Sequence, residues 1–147
     1  MSLKDQWIAV APMFACCVAL GACETAAVKA NEVKPAHVEA IAGTELHKVT
    51  LTARAAERLD IKTDRVQEMV VGGAKRKVVP YAAVLYDARG ETWVYTNPEP
   101  LVFVRHAIRV EYIRGDRAVL SQGPPAGTAV VTVGAAELFG AEFEIGH

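Results

Sequence analysis

The chain has 147 residues, a formal net charge of −1 and a hydrophobic fraction of 52%. This length corresponds to one modest domain, or to two very small ones, once a targeting segment is removed. The near-neutral charge gives no sequence-independent attraction to nucleic acid or anionic lipid, so a nucleic-acid partner is not expected.

All three cysteines, Cys16, Cys17 and Cys23, lie near the start of the chain. A disulfide framework needs cysteines spread through the folded part, and so does a zinc site built on thiolates. We therefore expect neither, and the sequence indicates no cofactor and no bound metal.

Residues 1–22 have the pattern of a lipoprotein signal peptide. A short polar start precedes an apolar run that contains Pro12 and is too short to span a bilayer comfortably. Leu20-Gly21-Ala22-Cys23 resembles the bacterial lipobox, in which the cysteine sulfur receives a diacylglyceryl group. Cys23 is the predicted lipid attachment site, which would anchor the chain to a membrane of the cell envelope on its extracytoplasmic, periplasmic side. A plain secretory signal and a retained membrane helix are the alternatives.

Residues 23–44 are small, polar and charged, and they show no sustained period of two or 3.6. Such a composition buries too little apolar surface to offset the entropy lost on ordering. The pattern predicts a flexible tether, with His37 as a solvated residue.

A strand, a helix and a second strand are predicted next. Residues 46–51 alternate in polarity, and Thr52 then offers a hydroxyl cap to a helix that ends near Asp60. Residues 61–66 with 70–71 predict the second strand, after which two glycines form a turn.

The clearest hairpin signal follows, with strands at 83–86 and 91–96 joined by the turn 87–90. Two prolines within 97–100 are expected to interrupt the pairing. Later elements are predicted as one strand that begins at 101–105 and continues through 108–113, strands at 118–120 and 128–133, and a single helical turn within 134–140.

These elements predict a mainly β fold, a small antiparallel β-roll or barrel with one or two short helices. The predicted β-rich domain covers 45–147, with an N-terminal strand–helix–strand segment at 45–72 and a roll at 75–147.

Motifs that carry chemistry are not present in the sequence: it has no phosphate-binding glycine loop, no His-Glu-x-x-His and no Gly-x-Ser-x-Gly. His106 and His147 are isolated and are expected at the surface. Glu137, Glu142 and Glu144 with His147 could form only a weak cation site at a mobile C-terminus. The protein is therefore not expected to be an enzyme.

Several segments carry a family resemblance. Residues 79–84, 92–95, 103–105 and 123–138 resemble the C-terminal membrane-proximal segment of the periplasmic adaptor subunits, or membrane fusion proteins, of RND-type efflux pumps. Residues 49–66 are similar to the opening of the same adaptors. Residues 49–66, together with the span 79–138 in which the other segments fall, cover most of the chain after Cys23.

The departure from that family is as informative as the match. Family adaptors carry a lipoyl-like domain and a long helical hairpin between these two segments, whereas here only a short stretch separates Arg65 from Pro80. The resemblance therefore implies a truncated form, a lipid-anchored accessory protein that contacts an RND-type transporter in transmembrane transport. A free-standing envelope lipoprotein that binds a small ligand or a metal ion is the alternative.

Five aromatic residues could anchor a protein contact or simply fill the core. They are Tyr81, Tyr86, Trp93, Tyr95 and Phe103.

Overall fold

The computed structural model describes residues 33–144, and most of these residues build a half-barrel of antiparallel strands. The predicted mainly β fold is confirmed, and two helices accompany the strands in this part of the chain. The elements are β1 (Ala36–Ala40), β2 (His47–Leu51), α1 (Ala53–Arg58), β3 (Lys62–Arg65), β4 (Gln67–Val71), β5 (Ala74–Pro80), a 3₁₀ turn (Tyr81–Ala83), β6 (Leu85–Tyr86), β7 (Thr92–Glu99), β8 (Val102–Arg114), β9 (Arg117–Gln122), β10 (Ala129–Val133) and α2 (Ala135–Glu144).

The main strand order is β3-β10-β7-β8-β9-β5-β4, with β2 also on β8, β1 on β2 and β6 on β7. We call β1, β2, β3, β6, β7, β10 and the start of β8 half A, and β4, β5, β9 and the end of β8 half B. The 13-residue β8 serves both halves. Val66, the single residue between β3 and β4, is a second link between the two halves. Its N–H donates to Thr128 O at 2.9 Å and its O accepts from Gly127 N–H at 2.7 Å, just before β10.

Strands β7 and β10 of half A are buried on both faces, so their alternate side chains enter different cores. On β7, Val94 belongs to the core inside the half-barrel, whereas Tyr95 packs on the opposite face beneath the helices. On β10, Val130 and Val131 divide in the same way. The inner core also receives side chains from half B, and the outer core receives Ala55, Ala135 and Leu138 from the helices.

Helix α1 begins as predicted, because Thr52 Oγ1 accepts a hydrogen bond from Ala55 N–H at 3.2 Å. Asp60 follows it with φ of 49°, the left-handed conformation that commonly ends helices.

The predicted hairpin is present as β6 and β7, with Leu85 opposite Trp93. The predicted interruption after it is only a register shift, since β7 continues through Pro98 to Glu99. Pro98 has no N–H to donate to the neighbouring strand. The side chain of Asn97 provides a donor there instead, because its Nδ2 donates to the carbonyls of Glu99 and Val102 at 2.7 and 2.8 Å. The strand predicted to begin at 101–105 and to continue through 108–113 is confirmed as β8.

The tether prediction for 23–44 is wrong at Ala36–Ala40, which form β1. This strand pairs with all of β2, from Ala36 opposite Leu51 to Ala40 opposite His47. Its backbone is ordered by a partner strand, and the pairing buries Ala36, so the local composition does not reveal it. His37 is exposed, as predicted.

The single helical turn predicted within 134–140 is also too short. Helix α2 runs for 10 residues, from Ala135 to Glu144. It continues past Gly140 because Leu138 and Glu142, one turn apart, are both buried against half A.

Candidate functional site

A buried charge network fastens α2 to half A. Glu142 is 3% exposed as a residue, and its carboxylate accepts hydrogen bonds from Arg105 Nε at 3.1 and 3.0 Å, one to each oxygen. Tyr95 donates its hydroxyl to Glu142 Oε2, and His47 Nδ1 lies 3.3 Å from Oε1. We call His47, Tyr95, Arg105 and Glu142 the Glu142 network.

Strand register brings these groups together. Tyr95 on β7 is directly opposite Arg105 on β8, so their side chains share the face that the helices cover. Phe103 lies two residues before Arg105 and occupies the same face in the outer core. The helical repeat then places Glu142 four residues after the buried Leu138, above Arg105.

Burial raises the pKa of Tyr95 far above its usual range, and the hydrogen bond to the Glu142 carboxylate raises it further. Tyr95 is therefore a neutral donor at any physiological pH. The Glu142 carboxylate interacts with donors from several directions. We therefore assign Glu142 a structural role in holding α2 against half A, and no role in proton transfer to a ligand.

The Arg105 guanidinium is enclosed by aromatic rings. Its Cζ lies 4.3 Å from the ring centroid of Trp93, 5.0 Å from that of Phe143 and 5.8 Å from that of Phe139. These distances are within the range of cation–π attraction. The two phenylalanines also contact each other, with ring centroids 4.7 Å apart.

A cleft of about 400 Å³ opens beside this guanidinium, and we call it the Arg105 cleft. Among residues 33–144, neither Nη atom of Arg105 has a hydrogen-bond partner. The cleft is lined by Glu45, Leu46, Asp87, Ala88, Arg89, Trp93, Arg105, Phe139 and Phe143.

Asp87 fixes the indole wall of this cleft. Its Oδ2 accepts a hydrogen bond from Trp93 Nε1 at 3.1 Å, and its Oδ1 accepts from the N–H groups of Arg89 and Glu91 at 2.9 Å each. Partial burial raises the pKa of Asp87, but these hydrogen bonds and the charge of Arg89 outweigh it and hold the pKa below its ordinary value. Asp87 is thus an ionised acceptor that orients Trp93.

Among the residues that it describes, the structure does not bring together those that the sequence analysis named as candidates for a functional site. Cys23, the signal peptide and His147 lie outside the described residues. Glu142 is buried in its network, and Glu137 and Glu144 line a separate cleft beside α1, so the weak cation site is not assembled from these glutamates. Within 33–144 no group of three His, Cys, Asp or Glu side chains is placed to hold a metal ion. His106 is exposed, as predicted.

The five aromatic candidates divide between core and surface. Tyr95 and Phe103 are buried in the outer core, Tyr81 and Tyr86 are exposed, and Trp93 lines the Arg105 cleft.

Sequence reasoning missed the Arg105–Glu142 pair. One signal was available, because Arg105 continues the alternation of Phe103 and so occupies a position that should be apolar. A charge at such a position predicts a buried partner, although the pattern does not say which residue it is.

Comparison with protein-family models, curated proteins and solved structures finds no significant match. Over the described part of the chain, no helix has the length and apolar character that a bilayer crossing requires.

Proposed function

We propose that the chain is a lipid-anchored extracytoplasmic accessory protein of an RND-type efflux system and acts through protein–protein contact. The proposal rests on the resemblance to the adaptor family and on the way that the resembling segments pair. Strand β2, from the first segment, pairs with β8 from the second, and β3 pairs with β10. The two segments therefore share one sheet although the intervening adaptor domains are missing, and this pairing is the observation that supports a self-sufficient membrane-proximal unit.

A contact surface is available at the end of half B, formed by residues 67–77 and 109–117; we call it the half-B tip. It exposes the apolar side chains Met69, Val70, Tyr112 and Ile113. The two segments also carry six basic and three acidic side chains. Exposed apolar side chains and an excess of basic over acidic residues suit a transporter surface that combines apolar and acidic side chains.

The half-B tip lies far from β2, the strand on which β1 is built. Strand β2 meets β8 at residues 102–104, whereas β8 ends at Arg114, roughly 30 Å further along at about 3.3 Å per residue. The end of the tip at Arg114 therefore lies away from the β1–β2 pair, which leaves it open to a partner.

Val70 and Val33 provide a matched pair of variants for the test. They are the same residue type, 72% and 73% exposed, but only Val70 lies on the tip. After crosslinking in membranes and extraction in mild detergent, the wild-type chain and Val33→Asp should co-purify with an RND-type transporter, and Val70→Asp should not. A wild-type chain that stays alone under crosslinking would contradict the transport role.

The second candidate function is ligand binding by a free-standing envelope lipoprotein, which the Arg105 cleft favours. Calorimetric titration with divalent cations tests the metal form of this alternative. Heat that disappears in a His47→Ala or His106→Ala variant would support a metal-binding role over transport.

A further inference from the structure

We propose that the Arg105 cleft is a binding site for a small monocarboxylate with an aromatic body. This inference goes beyond the transport role and does not depend on it, because it rests on the geometry of Arg105 and of the cleft walls alone.

The donors of Arg105 are only partly used. Nε donates to both oxygens of Glu142, and Glu142 is also contacted by Tyr95 and His47. The Nη edge of the guanidinium is left without a partner in the described part of the chain, although Arg105 is only 6% exposed. Such an edge presents two parallel N–H groups, the arrangement that a carboxylate accepts in bidentate fashion.

The walls of the cleft indicate what the carboxylate is attached to. Trp93, Phe139 and Phe143 surround the guanidinium, and Leu46 and Ala88 complete the apolar lining. A volume of about 400 Å³ is within the range of small-molecule sites. An aromatic ring bound here would stack against rings that are already held in place by Asp87 and by the contact between the two phenylalanines.

Charge limits the ligand to a single negative charge. Arg105 shares its charge with Glu142, and the rim carries Asp87 and Glu45 as well as Arg89. Two rim carboxylates would repel a dianion such as a phosphate ester, whereas one carboxylate on the Nη edge is offset by the guanidinium.

Benzoate is the probe for the test, with benzamide and acetate as comparators. Benzamide keeps the ring without the charge, and acetate keeps the charge without the ring. Trp93 is the only tryptophan after the predicted signal peptide, and Trp7→Phe removes the other one from any unprocessed chain, so the fluorescence reports on Trp93 alone. In mild detergent, benzoate should change the Trp93 fluorescence saturably, and each comparator should bind at least about tenfold more weakly.

Two phenylalanine substitutions at exposed alanines test whether benzoate binds in the Arg105 cleft. Ala88→Phe fills the cleft from an exposed turn without altering the Glu142 network, and should weaken benzoate binding at least about tenfold. Ala82→Phe changes another exposed alanine outside the lining and should bind like the parent. Equal affinity for benzoate and benzamide, benzoate binding that Ala88→Phe leaves unchanged, or no saturable change would overturn the proposal.

Discussion

Arg105 and Glu142 form a buried ion pair that joins the longest strand of the half-barrel to the C-terminal helix. The guanidinium Nε lies 3.0 Å from Glu142 Oε2, and the two side chains are 7% and 0% exposed. Because Tyr95 and His47 contact the same carboxylate, three strands converge on one helical residue. The pair therefore determines where α2 packs, and α2 in turn supplies two aromatic walls of the Arg105 cleft.

Removing the Glu142 carboxylate should destabilise the protein strongly. Glu142→Ala leaves Arg105 charged and buried without its partner, for which we expect a loss of about 3–5 kcal/mol in the free energy of unfolding. Glu144→Ala, in the same helix but exposed, should change that free energy by less than about 0.5 kcal/mol. Urea unfolding of the two variants measures the difference, and equal losses would show that the buried pair contributes nothing specific.

Replacing both partners by apolar residues should recover much of that loss. The double variant Arg105→Met with Glu142→Leu buries no unpaired charge, so we expect it to be at least about 2 kcal/mol more stable than Glu142→Ala. Urea unfolding of this variant provides the comparison. A double variant less stable than Glu142→Ala would mean that the hydrogen bonds of Tyr95 and His47 dominate the network.

Tyr95 should make stability depend on pH in the alkaline range. Its pKa is raised in the folded protein, whereas in the unfolded chain it is about 10. Its contribution is therefore fully present below pH 10 and decreases as the pH rises above that value, because only the unfolded state then loses the proton. In Tyr95→Phe this decrease should be smaller, as measured by urea unfolding between pH 9 and 11. An unchanged pH profile would contradict the assignment.

Alanine substitutions at Gly134, just before α2, and at Gly140, within α2, should change the stability of the protein in opposite directions. Gly134 has φ of 88°, and a methyl group there would collide with Ile61 Cδ1, so Gly134→Ala should cost at least about 1–2 kcal/mol. Gly140 is helical, and a methyl group there would meet no atom of the described residues within 4 Å. Gly140→Ala should therefore stabilise by about 0.5–1 kcal/mol. Thermal unfolding measures both, and a Gly134→Ala variant as stable as the parent would refute the first.

Acyl labelling tests the lipid anchor. Cys23→Ser should abolish incorporation of a labelled fatty acid and release the chain from membranes, because the sulfur is the predicted attachment atom. Cys17→Ser, which lies inside the predicted signal peptide, should keep the label. Label that persists in Cys23→Ser would rule out the lipobox prediction.

Several elements follow from local sequence alone. The alternation in β2, the Thr52 cap of α1, the Asp87–Gly90 turn and the glycines after β4 each act within a few residues, so the pattern predicts them. The mainly β fold is the sum of such local signals.

The sequence by itself thus determined the type of fold, the hairpin between β6 and β7 and the concentration of cysteines near the start of the chain. Only the tertiary structure decided the rest. Strand β1 is ordered by β2, and α2 is extended by burial of Glu142. Arg105 and Glu142 meet across 37 positions of sequence, and their contact depends on strand register and helix packing, which no local pattern contains. The Arg105 cleft, which needs both elements in place, is for the same reason visible only in the folded chain.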